Sequence, residues 1–237
     1  MKNAFRLGLC ALCVLCLLLP GSNFAAKKGW NSSKTCYYIK KGKKLVKATG
    51  LQKIKGQYYY FNKKGKVQKK KWGKNLTVKG KKYTFYFGKD GKAYKAKGDS
   101  QAPTTQVKVV TISGKKYGFD EKAHMVTGLW STMKGDLFFF NSKGVYDSNA
   151  TKKYREVIRS DATSETLLED VKSVFGTPKS ETTEESCNYF DATEEDLSSG
   201  NLDYTAYYLT YDHISIALTK SEKSGLYCME GASPLER

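Results

Sequence analysis

Gly56-Gln57-Tyr58-Tyr59-Tyr60-Phe61-Asn62-Lys63-Lys64-Gly65 is the stretch that decides the fold of this chain. Four consecutive aromatic residues favour a pleated, half-buried strand, and along them successive side chains point to opposite faces. The tetrad that follows is turn chemistry: an asparagine side chain bonds the backbone ahead of it, and glycine accepts a positive φ. The ten residues therefore read as one arm and the turn of a β-hairpin.

The block recurs along the chain. Cys36-Tyr37-Tyr38-Ile39 stands before Gly42, Phe85-Tyr86-Phe87 before Gly91, and Phe138-Phe139-Phe140-Asn141 before Gly144, while Tyr117-Gly118-Phe119-Asp120 is a fourth variant. Most of these blocks begin a few residues after a glycine (Gly56, Gly80, Gly114, Gly135), and several are followed by an apolar residue and a second glycine, as in Val46…Gly50 and Met125…Gly128. Such self-similarity marks a repeat architecture. A single hairpin is only marginally stable in water, whereas stacked hairpins bury one another's aromatic faces and form a short β-solenoid. The unit between Gly80 and Gly91 carries one extra residue, and residues 99–110, with Gln101-Ala102-Pro103-Thr104-Thr105, interrupt the array.

Beyond residue 150 the pattern changes. Leu167, Leu168, Val171, Val174 and Phe175 fall on one helical face. Ser164 is expected to cap that helix, Glu165 to suit its positive end, and Gly176 with Pro178 to stop it. Strand-like runs follow at 204–211 and 214–219 around a turn at Asp212-His213, and again at 226–230 after Ser224-Gly225. The expected fold is mainly β: an array of β-hairpin repeats (a short β-solenoid), then a small α+β domain with one helix and an antiparallel sheet. The expected domains are a signal peptide at 1–26, the repeats at 27–150 and an acidic α+β domain at 151–237.

Charge divides along the same line. Residues 27–98 hold 24 lysines, no arginine and a single acid, Asp90, for a local charge of +23; residues 156–237 hold 6 basic and 17 acidic residues, for −11. Two modules with different tasks are implied, and the basic one should attract polyanions in a salt-dependent way. At the N-terminus, Lys2 and Arg6 precede an apolar run from Leu7 to Leu19, then Pro20, Gly21 and the small residues Ala25 and Ala26, in the order of a secretory signal. The run falls short of the ~20 residues needed to span a bilayer, and no further apolar run is long enough to cross one, so no membrane span is expected after cleavage, and the protein is expected at the cell surface or outside the cell. An uncleaved anchor is the alternative. Cys10, Cys13 and Cys16 each follow a leucine, not the small residue that a lipid-attachment site calls for. Three cysteines remain: Cys36, Cys187 and Cys228. Cys187 and Cys228 are the candidate disulfide, whose loop of about 40 residues would contribute about 4 kcal/mol in the chain-entropy model; three free thiols are the alternative.

The repeats resemble the cell-wall-binding repeats of Gram-positive surface proteins, the family that includes choline-binding and glucan-binding repeats. Gly29-Trp30 is similar to the opening of that family's unit, Gly56 to Asn62 to its aromatic block with tyrosine for tryptophan, and Met125-Val126-Thr127-Gly128-Leu129 to its closing segment with leucine for tryptophan. The likeness covers roughly residues 29–150. It implies stacked hairpins that bind wall polymers. A choline site in such repeats is a box of aromatics from adjacent units; here Leu51, Leu129, Cys36, Tyr58 and Leu137 stand where tryptophans would, leaving Trp30, Trp72 and Trp130 and an incomplete box. The C-terminal region is weakly similar to small domains of β-lactamase-inhibitor proteins and outer-membrane assembly lipoproteins, and no residue role is carried over from them.

The candidate ligand-binding residues are Trp30, Tyr37, Tyr58, Tyr59, Trp72, Phe85, Tyr86, Tyr117, Trp130 and Phe138. Exposed rings of this kind stack on the C–H-rich face of a pyranose while its hydroxyls stay wet, and nearby lysines meet phosphate or carboxylate groups as point charges. The competing reading is that each ring only holds hairpins together. The partners expected are cell-wall polysaccharide or teichoic acid, with a protein partner for the acidic domain as a further possibility. No catalytic residue, metal site or cofactor is expected: His124 and His213 are the only histidines, and nucleophile motifs, phosphate-binding glycine loops and zinc spacing are missing. Glu184-Glu185 and Glu194-Glu195-Asp196 read as solvated charge runs. Single-stranded nucleic acid is the rival polyanion, although a lysine-only array lacks the bidentate arginine that reads bases.

Overall fold

The computed structural model describes residues 27–97, 106–132, 136–159 and 161–235. The signal-peptide expectation, Gly135 and most of the expected interruption after residue 98 lie outside them. The strands of the repeats are β1 Gly29–Trp30, β2 Tyr37–Lys41, β3 Lys44–Lys47, β4 Gly50–Ile54, β5 Gln57–Phe61, β6 Lys71–Val78, β7 Lys81–Phe87, β8 Val107–Ile112, β9 Lys115–Asp120, β10 Gly128–Ser131 and β11 Leu137–Phe140. They form a three-stranded sheet, β1-β2-β3, and the hairpins β4-β5, β6-β7, β8-β9 and β10-β11, as the alternation of aromatic blocks and glycine turns predicts.

The described chain falls into two compact units, one made of residues up to Gly50 with Phe61–Val67, the other of Leu51–Tyr60 and everything from Gln68 onward. In the first unit Asn62 Oδ1 accepts from the backbone N–H of Lys64 (3.0 Å) and Lys66 (2.9 Å), Gly65 sits at φ 74°, and Phe61 is 1 % exposed. In the second unit Asn141 Oδ1 accepts from the N–H of Lys143 (2.9 Å) and Val145 (3.1 Å), and Gly144 also sits at φ 74°. The same turn is thus written twice by the same residue types.

A third segment closes each repeat. Phe87 bridges Ala93, Phe119 bridges Met125, and Phe140 bridges Tyr146. Each segment then donates a backbone hydrogen bond to an earlier hairpin: Ala93 to Tyr58 O (2.9 Å), Met125 to Thr84 O (2.8 Å) and Tyr146 to Lys116 O (2.9 Å). These bonds tie hairpin to hairpin, and the last aromatic of each block, Phe87, Phe119 or Phe140, is completely buried between them. Close approach needs a small residue: a Cβ on Gly118 would lie 2.6 Å from both Phe140 Cζ and Val126 Cγ2.

The C-terminal part is an antiparallel sheet in the order β12-β16-β15-β14-β13, with β12 Thr163–Ser164, β13 Ser180–Glu185, β14 Tyr204–Thr210, β15 Ile214–Ser221 and β16 Tyr227–Pro234. Three helices accompany it, α1 Ser148–Val157, α2 Leu167–Phe175 and α3 Glu194–Ser199, two more than the sequence patterning shows. α1 is rich in lysine and polar residues and buries only Thr151, so its apolar periodicity is faint. α3 has six residues and starts in a capping box between Thr193 and Asp196. α2 begins at Leu167 with Thr166 as its N-cap, not at Ser164, because Ser164 is drawn into β12 opposite Tyr227. Leu167, Leu168 and Val171 of α2 bury against Leu209, Ile214, Ile216, Leu218 and Met229 of the sheet, each such side chain contributing about 1.5–3 kcal/mol. Leu137 of β11 belongs to this same core, with Leu129 packed on it. No helix among the described residues is long and apolar enough to cross a membrane.

Candidate functional site

The stacking of hairpins brings rings from different repeats together, and this makes the site. Trp72 of β6 stands beside its cross-strand partner Tyr86 (centroids 5.0 Å) and meets Tyr117 of β9 edge-on at 4.8 Å and 66°. On the open side of Trp72 and Tyr117 is a hollow of about 390 Å³, within the range of small-molecule pockets. It is also lined by the apolar Met125 and Val145, by Thr84 and by Lys74, Lys115 and Lys143.

Each lysine has a local cause. β6 and β7 slip register between Gly73 and Leu76, so Lys74 and Asn75 together face Thr84; such a bulge re-aims a side chain, and Asn75 takes the positive φ it requires. Lys115 follows the tight turn at Ser113-Gly114, where both residues have positive φ. Lys143 lies in the Asn141 turn, and Val145, just past it, bridges Tyr117. Both rings are among the candidates read from the sequence, and the three lysines are not. Lysines are everywhere in this region, so only the bulge and the turns pick out which three converge.

The other candidate rings divide by burial. Trp30 and Tyr37 are cross-strand partners in the first unit, 5.4 Å apart and partly exposed, and Trp30 also leans on Phe61 at 5.7 Å. Tyr58 is half-buried against Phe85, with Lys53 Nζ 5.5 Å above its ring. Phe85 is completely buried and Tyr59 is 8 % exposed; both serve packing, and burial pushes the Tyr59 hydroxyl above its ordinary range. Trp130 is 5 % exposed, its Nε1 donates to Thr127 O (3.0 Å), and its ring face is covered by His213. Phe138 pairs with Trp130 and lies under the Arg155 guanidinium at 5.7 Å. Three of the ten rings, Tyr59, Phe85 and Trp130, are thus buried, and Trp72 and Tyr117 face a common hollow.

Both histidines stack on aromatic rings. His124 is sandwiched on Tyr83 at 3.6 Å and its Nδ1 lies 3.2 Å from Asp120 Oδ2. Cys187 and Cys228 are separate thiols, not a bridge. Cys187 follows the end of edge strand β13, whereas Cys228 sits in β16 opposite Thr219, with β14 and β15 between. Glu184 and Glu185 belong to the regular strand β13, and Glu194, Glu195 and Asp196 to the first turn of α3. A shallower hollow of about 340 Å³ on the sheet is lined in part by Glu184, Glu185, Tyr208 and Glu230. Tyr208 donates to Glu184 Oε1 (2.8 Å), and that bond holds the phenol above its ordinary pKa.

No family model matches the chain, and no curated protein matches it. Among solved structures it is similar to choline binding protein F from Streptococcus pneumoniae, in the presence of a peptidoglycan analogue, at 23 % identity and a TM-score of 0.33, over 51 % of this chain and 38 % of that one. It is also similar to the multimodular pneumococcal cell wall endolysin from phage Cp-1 complexed with choline, at 19 % identity and a TM-score of 0.31, over 48 % of this chain and 31 % of that one. An alternansucrase in complex with isomaltononaose shares 24 % identity at a TM-score of 0.21, over 47 % of this chain and 10 % of that one. The chain therefore spans well under half the length of each of these structures.

Proposed function

We propose that this chain is a secreted protein that holds cell-wall or other extracellular anionic polysaccharide non-covalently, and that it has no catalytic activity. One observation carries the reading: Trp72 and Tyr117, from different hairpins, meet at the edge of an open hollow that three lysines also line. Rings supply stacking surface for sugars, and the lysines supply attraction for anionic groups. The local charge of +23 exceeds what solubility requires.

The test is binding of the mature chain to purified Gram-positive walls and, in parallel, to labelled single-stranded nucleic acid, at physiological salt and at 1 M. Screening shortens from about 8 Å to about 3 Å between these conditions. Wall binding that persists in part at 1 M, with nucleic acid released, is the expected outcome. Equal loss of both ligands would replace the carbohydrate reading with a general polyanion binder.

A further inference from the structure

We propose that the Trp72–Tyr117 hollow is a subsite for an anionic pyranose, a sugar ring bearing a carboxylate or phosphate, and that it rejects a quaternary ammonium. The inference rests on the polysaccharide reading above and gives it a place and a sign of charge.

The rings set the shape. Trp72 and Tyr117 meet at 66°, so they form a corner rather than a parallel sandwich. One flat sugar face can lie along one wall while its edge meets the other, and Met125 provides a polarizable floor. The lysines set the charge. Lys74, Lys115 and Lys143 come from a bulge, the start of a strand and a turn, three unrelated pieces of backbone that converge on one opening. No carboxylate lines the hollow, and no described carboxylate pairs with any of these three lysines, whereas Lys92 has Asp90 at 3.5 Å. Recognition of a quaternary ammonium needs aromatic faces around the cation. Here two rings face the hollow and three positive charges stand where further rings or acids would have to be. Like charges repel such a ligand, and the same charges attract an anion.

Four probes separate the elements of the claim: an oligogalacturonate (ring and carboxylate), a glycerol-phosphate oligomer (charge without a ring), maltohexaose (ring without charge) and choline chloride. Each is titrated by calorimetry into the full mature chain and into a Lys74→Gln/Lys115→Gln/Lys143→Gln variant, with circular dichroism as the fold control. The three lysines are exposed, so the variant should keep its fold. Oligogalacturonate should bind at least tenfold more tightly than maltohexaose and than the glycerol-phosphate oligomer. The triple variant should lose at least tenfold of that affinity and keep its weak binding of maltohexaose, and choline should show no saturable binding to either protein. Saturable choline binding, equal affinity for charged and neutral rings, equal affinity for glycerol phosphate, or an unaffected triple variant would each overturn the proposal. Purified walls as a fifth arm keep the two readings apart. Walls that bind the triple variant as well as the parent overturn this subsite alone, and walls that bind neither protein overturn the polysaccharide reading even if oligogalacturonate binds.

Discussion

The imidazole of His213 lies on the indole of Trp130, ring centres 3.9 Å apart and 18° from parallel. One ring belongs to the last hairpin of the repeats, the other to the turn between β14 and β15, so the stack joins the two kinds of sequence. Leu137 extends the joint into the C-terminal core. Arg155 of α1 donates to Leu137 O (2.8 Å), and Thr151 Oγ1 accepts from the N–H of Phe139 (3.0 Å) while donating to Asp147 O (2.6 Å). The hairpin β10-β11 is held through backbone as well as side chain.

The stack should make stability depend on pH. Burial lowers the pKa of His213 below its ordinary 6.5, nearby Lys179 acts in the same direction, and Asp212 and Asp120 oppose them. The unfolded chain therefore binds a proton before the folded chain does, and stability falls as pH drops below about 6.5 until the folded-state pKa is passed. Urea midpoints of the parent and of His213→Phe, taken at pH 7.5 and pH 5.5, check this. The phenyl ring keeps the stack without titrating, so the variant should lose less stability on acidification; an equal loss would clear His213.

Because Leu129 and Leu137 sit in the C-terminal core, a fragment that starts at residue 128 should unfold at higher urea than one that starts at residue 151. The shorter fragment loses the completely buried Leu137, which contributes about 1.5–3 kcal/mol, and the half-buried Leu129 packed on the same core. Denaturation followed by circular dichroism measures the difference, and coincident curves would show that the hairpin adds nothing.

Two glycines should respond differently to alanine. Gly144 sits at φ 74°, where a side chain costs about 1–2 kcal/mol, and the new methyl would press on Met125, whose flexible end can move. Gly118 is buried against the ring of Phe140, which cannot move, and overpacking of that kind costs about 1–3 kcal/mol. Thermal unfolding should show both losses, while binding at the hollow should change for Gly144→Ala alone, through Met125.

Thiol chemistry tests the missing bridge. Cys187 is exposed, Cys228 half-buried and Cys36 buried. Native protein without reductant should react with a thiol reagent first at Cys187, then at Cys228, and at Cys36 only on unfolding. Cys187→Ser should leave stability unchanged within about 0.5 kcal/mol, far from the loss of about 4 kcal/mol that a disulfide closing this loop would bring.

The sequence by itself determined the hairpins. Aromatic blocks before Asn-x-x-Gly turns leave the backbone little choice, because strand pleat and positive φ are local requirements that local residues meet. It also determined the core strands β14 and β15 and the end of α2 at Gly176. Tertiary structure alone decided which rings are packing and which face solvent. Phe85, Trp72 and Trp130 look alike along the chain, yet one is sealed by the next repeat, one borders a hollow and one is covered by a histidine 83 residues away. It also decided which three of so many lysines share an opening, and it kept Cys187 and Cys228 apart. Burial and convergence depend on contacts between residues distant in sequence, and a local pattern does not encode them.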